Sequence, residues 1–79
     1  MNVSVNTGQL RLEMALRGWG AVDLARASQL SAATVSTALA GKPIAARSVS
    51  LIAMAIINTP ANEVIDRLVR HDSQDLGLA

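Results

Sequence analysis

"AVDLARASQLSAATVSTALAGK", residues 21–42, contains two short helical patterns separated by three residues. The first runs over about 21–28 and carries an aspartate in its first turn, where a carboxylate stabilises the positive end of the helix dipole. Its Leu24, Ala25 and Ser28 recur at the spacing that places side chains on one side of a helix. We therefore expect a short helix here that packs through this side.

The second pattern begins after the three-residue link, whose last residue, Ser31, is a suitable N-cap for a helix over 32–40. The apolar residues that recur at i, i+3 and i+4 in this helix are Val35, Ala38 and Leu39. Gly41 and Pro43 end the pattern, because glycine favours the left-handed cap and proline does not continue a helix. The stretch therefore predicts two helices joined by a tight turn.

Upstream of these helices, residues 8–18 carry another helical pattern, which Asn6 or Thr7 can cap. Gly18 and Gly20 then interrupt it. The predicted apolar stripe of this first helix is Leu12, Ala15, Leu16 and Trp19. We expect the stripe to face the core.

Downstream, residues 46–57 are apolar almost all round, which is typical of a central and buried helix. Thr59 and Pro60 then form the N-cap and first position of a fifth helix, which we expect to end at about Arg70. The residues predicted to face inward from it are Val64, Ile65, Leu68 and Val69. Residues 71–79 show no pattern and are expected to form a disordered C-terminal tail.

At the N-terminal end, Val3 and Val5 alternate with polar residues, but so short a segment does not define a strand, and we expect an arm or a frayed end. With 79 residues, of which 51% are hydrophobic, the chain has material for one core and no room for a second. Together the patterns predict an all-α fold, in which five helices form one compact domain over residues 1–70.

The two helices between residues 21 and 40 form a helix-turn-helix layout. The residues that match a known family are Leu24-Ala25, Leu30-Ser31, Thr34-Val35-Ser36 and Gly41-Lys42. Over about residues 10–68 the chain resembles the lambda-repressor-like (Cro and repressor type) family of helix-turn-helix DNA-binding domains. The resemblance implies a sequence-specific transcriptional regulator of bacterial or phage type. It also implies a homodimer on double-stranded DNA, with helix 32–40 of each subunit in the major groove and the two helices about 34 Å apart.

The sequence departs from the family pattern at the turn and at one contact between helices. Gln29 stands where the family often has glycine, so the turn either holds a side chain in the left-handed region, which costs about 1 kcal/mol, or follows another path. Met14 and Leu39 stand where the family often has an ion pair. We expect these two side chains to touch, because a hydrophobic contact in place of an ion pair can be neutral or stabilising.

A third departure is that the outer face of helix 32–40 lacks long polar side chains. Opposite the inward residues a helical wheel places Ala33, Thr37 and Ala40, with Thr34 and Ser36 on the flanks of this face. None of them can form the paired hydrogen bonds that arginine makes to guanine or glutamine to adenine. Their hydroxyl and methyl groups can still contact base edges, so we expect recognition by close fit, with Gln29 and Ser31 as flanking contacts.

Basic residues near these helices are the candidate phosphate contacts. They are Lys42, Arg47 and Arg26, with Arg11 and Arg17 as further candidates. Residues 1–59 carry five basic and two acidic side chains, a net charge of +3, whereas residues 60–79 carry two basic and four acidic ones, a net charge of −2. We therefore expect a polyanion to bind the front of the molecule, and the apolar surface of the fifth helix and tail to form the dimer face.

Other classes of function are disfavoured by what the sequence lacks. It has no cysteine, its single histidine, His71, has no partner at metal-ligand spacing, and no phosphate-binding loop or nucleophile with a base is present. We therefore expect no enzymatic activity, no cofactor and no small-molecule ligand. The longest apolar run, 51–57, is too short for a membrane span, and we expect a cytoplasmic protein.

The alternative function is a protein-interaction module on the same fold that has lost DNA binding.

Overall fold

The computed structural model of the protein describes residues 1–61, which form four α-helices and a small antiparallel sheet. In chain order the elements are β1 (Asn2–Val3), α1 (Thr7–Arg17), α2 (Ala21–Ser28), α3 (Ala32–Leu39), β2 (Ile44–Ala45) and α4 (Ala46–Asn58). This part of the chain is mostly helical, as predicted. No helix in it is long and apolar enough to cross a bilayer. The predicted fifth helix, the tail and the dimer face assigned to them lie outside the described residues, except for Pro60 and Ala61, which are not helical.

Local capping groups set the ends of α1. The side chain of Asn6 accepts a hydrogen bond from the backbone N–H of Gln9 at 3.0 Å, so Asn6 rather than Thr7 is the N-cap. Gly18 ends the helix with a φ of 69°, a left-handed conformation that glycine adopts readily. The helix therefore begins and ends one residue earlier than the predicted range of 8–18.

α2 spans residues 21–28, as predicted. The backbone N–H of Gly20 donates to Asp23 Oδ2 at 2.8 Å, which ties the carboxylate to the first turn. Leu24 and Ser28 are buried on the same side, and the Ser28 hydroxyl donates to Leu24 O at 2.6 Å. A polar side chain is thus accommodated in the core because its hydrogen bond is satisfied within the helix.

α3 begins at the predicted cap, where Ser31 Oγ accepts a hydrogen bond from Thr34 N at 3.1 Å. The helix ends at Leu39, one residue before the predicted end. Gly41 follows in the left-handed region, with a φ of 79°. The positive φ explains why glycine stands at this position.

Gln29 turns the chain from α2 towards α3 in a left-handed conformation, with φ 60° and ψ 32°. It is the one residue other than glycine with a positive φ in the described part of the chain. The N–H groups of Gln29 and Leu30 donate to the carbonyls of Arg26 and Ala25 at 3.3 and 3.0 Å, which closes the end of α2. Of the two paths that the sequence left open here, the chain takes the left-handed one.

Replacing Gln29 with glycine is expected to raise the free energy of unfolding by about 0.5–1 kcal/mol. The left-handed conformation costs an L-residue about 1–2 kcal/mol, and the greater freedom of glycine in the unfolded chain offsets only part of this gain. Chemical denaturation measures the difference. Ala27→Gly within α2 is the control and is expected to lower stability by about 1 kcal/mol. A Gln29→Gly protein less stable than the wild type would show that the turn is not strained.

An apolar core lies between the four helices and the sheet. Its buried members are Leu10, Met14, Leu24, Val35, Ala38, Ile44 and Ile52. Leu24 and Val35 have no exposed surface, so α2 and α3 are each anchored through an inward residue. Leu39 packs half-buried against the core and, with Met14, lines the groove between α1 and α3, and the direct contact between the two side chains stays a prediction.

The buried face of α1 differs from the predicted stripe. Three of the stripe residues are exposed, namely Leu12, Ala15 and Leu16. Leu12 is 52% exposed, whereas Leu10 and Met14 are buried. The prediction was wrong because α1 has a second apolar face, which continues into Arg17. The charge of Arg17 suggests a solvent-facing position, so the sequence does not indicate that this face is the buried one. The helix is therefore rotated relative to the expected orientation.

The expectation that α4 is buried all round was also wrong. Ile52 and Ala55 are buried, but Met54 is exposed and Ile57 is 69% exposed. Within residues 1–61, α4 packs mainly against α2 and the two strands. These elements cover only part of its surface, so an almost continuous apolar sequence does not mean burial on every side.

The small sheet replaces the arm or frayed end that the sequence predicted at the N-terminal end. β1 and β2 pair antiparallel, with Asn2 opposite Ala45 and Val3 opposite Ile44. Ile44 is buried, so the sheet is attached to the core. The expectation was wrong because the partner strand lies far away in the sequence, after α3, and two-residue strands carry no periodic signal.

Candidate nucleic-acid interface

The outer face of α3 consists of small side chains. Because Val35 and Ala38 are fully buried, the opposite side of the helix points away from the core. The residues on that side are Ala33, Thr34, Ser36 and Thr37, all exposed or half-buried, and Ala40 is exposed at the C-cap. Short side chains allow another molecule to approach the backbone of α3 closely.

Local hydrogen bonds orient the hydroxyl groups near this face. Ser31 Oγ and Thr34 Oγ1 lie 3.0 Å apart and share a hydrogen bond. The hydroxyl of Thr37 donates to Ala33 O at 2.9 Å. A hydroxyl whose hydrogen is given to the backbone keeps lone pairs that can accept. Thr37 therefore offers an acceptor to a ligand at this face.

A shallow groove runs beside the outer face of α3, between this helix and the small sheet. Six of the residues that line it are Ala33, Thr34 and Thr37 of α3, Asn2 of β1, Ala45 of β2 and Ser48 of α4. The first three were predicted as contact residues, and the sequence analysis missed the other three. Asn2 reaches the groove because β1 pairs with β2, which no local sequence pattern indicates.

Two of the predicted phosphate contacts adjoin this groove in the sequence. Lys42 precedes Pro43, and Arg47 precedes Ser48, and both Pro43 and Ser48 line the groove. The residues Lys42 and Arg47 are themselves exposed. Both cations are therefore exposed next to groove residues in the chain, but neither lines the groove itself.

Besides Lys42 and Arg47, four predicted contacts do not line the groove of α3, namely Arg26, Gln29, Ser31 and Ser36. Arg26 is exposed and lies on the side of α2 opposite the buried Leu24. Gln29 is exposed too, but it lines a second groove, between α2 and α4, together with Met54 and Asn58. The structure therefore separates Gln29 from the outer-face threonines with which the sequence analysis grouped it.

Arg17, a further candidate for phosphate contact, is used inside the protein. Its side chain is only 6% exposed and forms an ion pair with Glu13, with Nη1 and Oε1 2.7 Å apart. Nε donates to Thr59 O at 2.6 Å and Nη2 to Ile56 O at 3.1 Å, so the guanidinium joins α1 to the C-terminal end of α4. Contrary to expectation, Arg17 is not available to a ligand.

Arg11, the other further candidate, remains exposed on α1. Its Nη2 donates to Leu39 O at 2.9 Å, in the last turn of α3. A cation at this end of a helix is favourable because the unpaired carbonyls carry partial negative charge. Arg11 therefore links α1 to α3 while its other N–H groups stay accessible.

The two acidic residues of the described chain are both engaged locally. Hydrogen bonds from Arg17 and from Gln9 Nε2 lower the pKa of the Glu13 carboxyl below its ordinary value. Asp23 accepts from the backbone at the start of α2. The cations without an acidic partner within residues 1–61 are Arg11, Arg26, Lys42 and Arg47. This part of the surface is therefore positively charged overall.

Signs of other kinds of site are lacking in the part of the chain that the structure describes. There, no three His, Cys, Asp or Glu side chains come together in a way that could hold a metal ion. Every buried side-chain nitrogen and oxygen in the same residues has a hydrogen-bond partner. No orphaned polar group within residues 1–61 therefore points to an internal ligand.

No protein-family model matches the chain, and neither a curated protein nor a solved structure is significantly similar to it. A functional proposal must therefore rest on α3, its groove and the charges around them.

Proposed function

We propose that the protein is a sequence-specific DNA-binding transcriptional regulator of bacterial or phage type, which reads the major groove with α3. The observation that carries this proposal is the arrangement of α2 and α3. Three residues join them, with Gln29 in a left-handed turn, and Leu24 and Val35 anchor them in the core. The outer face of α3 is left uncovered within residues 1–61. In a helix-turn-helix, the second helix presents this face to the major groove.

The size and composition of α3 suit that groove. An α-helix with its side chains is about 10–12 Å in diameter, and the short side chains of α3 keep it within the width of about 12 Å of the major groove of B-DNA. Ala33 and the methyl group of Thr37 can contact a thymine methyl group, and Thr37 Oγ1 can accept from a base amino group. Recognition by α3 therefore relies on the close approach of small side chains.

Exposed cations supply the attraction to phosphate. Lys42 and Arg47 are exposed and precede groove residues in the chain, and Arg26 lies on the outer side of α2. In helix-turn-helix proteins, side chains around the reading helix fix the protein on the DNA backbone. Three contacts per subunit are few, so the proposal includes a homodimer that doubles them. A dimer of five-helix subunits is also what the resemblance to the lambda-repressor-like family implies.

Fluorescence anisotropy tests this proposal, with a labelled mixed-sequence duplex titrated with the protein at several salt concentrations. For three phosphate contacts per subunit, log Kobs is expected to fall against log salt with a slope of about −3 for each bound subunit. Circular dichroism in the same buffers checks that the protein is folded. A folded protein that fails to bind the duplex at about 50 mM salt would contradict the proposal.

A protein-interaction module on the same fold is the second candidate function. The observation that favours it is that the outer face of α3 carries no arginine, lysine, asparagine or glutamine. Such a face suits an uncharged protein surface better than a phosphate backbone. The same titration separates the two candidates, because a protein-interaction module would show no salt-dependent affinity for DNA.

A further inference from the structure

Asn2 lies at the place where α3 lacks a long polar side chain. It is exposed and lines the groove beside Thr34 and Thr37. The other side chains that line this groove are apolar or carry a single hydroxyl group. Within residues 1–61, Asn2 is thus the one side chain at the groove that combines two N–H donors with a carbonyl acceptor.

The small sheet holds Asn2 in position. Asn2 pairs with Ala45, and the backbone N–H of Ala46 donates to Met1 O at 3.0 Å, which extends the pairing by one residue. Ile44, the neighbour of Ala45 in β2, is buried in the core. A side chain supported by paired strands meets a ligand at a defined position, whereas one on a free arm must first be ordered.

We propose that Asn2 reads an adenine edge in the same stretch of major groove that α3 occupies, an inference that rests on the DNA binding proposed above. The amide carbonyl of asparagine accepts from adenine N6 while its amide nitrogen donates to N7. This pair of bonds distinguishes an A·T pair from the other base pairs. β1 therefore supplies the polar base contact, and the threonines of α3 supply the close fit.

The test compares Asn2→Ala with the wild type on two DNA probes. One is a duplex that the wild-type protein selects from a randomised library, and the other is a mixed-sequence duplex. We expect Asn2→Ala to bind the selected duplex about ten-fold or more weakly, because one bidentate contact contributes roughly five- to one-hundred-fold discrimination. Affinity for the mixed-sequence duplex and its salt dependence should not change.

Asn58→Ala is the matched control, since it removes an exposed amide at the end of α4, on the second groove. It is expected to bind both probes like the wild type. Asn2→Asp keeps the shape of the side chain but loses its N–H donors, and it should lose affinity as Asn2→Ala does. Because Asn2 is exposed, its replacement should leave the protein folded, which the melting temperature checks.

Substitution of adenine by 7-deazaadenine, which lacks the N7 acceptor, locates the contact. Replacing the adenines of the selected duplex one at a time is expected to weaken wild-type binding at one position in each half-site. Asn2→Ala should be insensitive to the substitution at that position, because the bond to N7 is already lost. Equal sensitivity of the two proteins at every adenine would overturn the proposal.

The outcomes separate this inference from the proposed function. If Asn2→Ala keeps the affinity and base preference of the wild type, the inference fails while DNA binding stands. The inference also fails, while DNA binding stands, if the wild type binds DNA without any base preference. If the folded wild type binds neither probe, the inference and the proposed function fail together.

Discussion

Replacing Arg17 with methionine is expected to lower the free energy of unfolding by about 3 kcal/mol. Four of the five N–H groups of its guanidinium donate within the protein, to Thr59 O, Ile56 O, Glu13 O and Glu13 Oε1. Methionine fills a similar volume but leaves these acceptors without their donors. The C-terminal end of α4 also loses its link to α1. The effect is large because the Arg17 side chain is only 6% exposed and the carbonyls of Ile56 and Thr59 lose the donor that joins them to α1.

Thermal denaturation measures this loss, which corresponds to a decrease in Tm of roughly 12–24 °C for a domain of this size. Arg17→Lys is expected to lose most of the same stability, because an ammonium group cannot reproduce the planar fork of donors. Arg26→Met removes an exposed arginine and is the control, expected to stay within about 0.5 kcal/mol of the wild type. Equal stability of Arg17→Met and Arg26→Met would contradict the structural role of Arg17.

The ion pair between Arg17 and Glu13 also makes the free energy of unfolding depend on pH. The pKa of Glu13 is lower in the folded protein than in the unfolded chain, and the hydrogen bond from Arg17 is the main cause. The contribution of Glu13 is therefore fully present above its ordinary pKa of about 4.3 and is lost as the pH falls through the lower folded value. We expect the fall in stability below about pH 4.3 to be shallower in Arg17→Met than in the wild type. Denaturation curves across this pH range measure the difference.

Replacing Thr37 with aspartate and Lys42 with glutamine is expected to lower the affinity for mixed-sequence DNA about 100-fold at low salt. The new carboxylate lies in the groove beside α3, where negatively charged DNA must approach closely. The second substitution removes an exposed cation that precedes Pro43, a residue of the same groove. Together they replace attraction by repulsion at the proposed contact surface, and anisotropy titrations measure the loss.

The control for this variant adds the same charge elsewhere. Leu12→Glu together with Leu16→Glu also changes the net charge by −2, at two exposed positions of α1. When the two variants are compared at about 0.15 M salt, where the screening length is about 8 Å, it is expected to weaken binding at most a few-fold because its charges do not face the DNA. Similar losses of affinity in the two variants would mean that overall charge, rather than the face of α3, governs binding.

The ends of the helices could be predicted because the groups that set them are local. Asn6 and Ser31 accept hydrogen bonds from N–H groups three residues later, and Gly18 and Gly41 take the left-handed conformation that follows a helix. Each signal lies within a few residues of the end that it sets. The helices α1 to α4 therefore differ from the predicted ranges by no more than one residue at each end.

The orientation of α1 could not be predicted in the same way, because it depends on distant partners. Arg17 faces inward since the carbonyls of Ile56 and Thr59, at the end of α4, accept from it. In the sequence, the exposed Leu12 and Leu16 form an equally plausible apolar face. Only the three-dimensional position of α4 decides between the two faces.

In the candidate site, too, the local features could be predicted from the sequence and those that depend on distant partners could not. The outer face of α3 follows from the period of the helix once Val35 and Ala38 are assigned to the core. The contribution of Asn2 does not follow from the helix period, because it depends on pairing with Ala45 across most of the described chain. A two-residue strand is too short to be recognised by alternation, so sequence reasoning missed Asn2 as a residue of the groove.

Chemical-shift mapping by NMR tests most directly the central claim that the face of α3 binds DNA. Isotope-labelled protein would be titrated with an unlabelled mixed-sequence duplex. We predict the largest backbone shifts at Ala33, Thr34 and Thr37, with Asn2 also shifted, and little change at Leu12 of α1, which is exposed elsewhere. Largest shifts around Leu12, or no shifts in a folded protein at low salt, would contradict the claim.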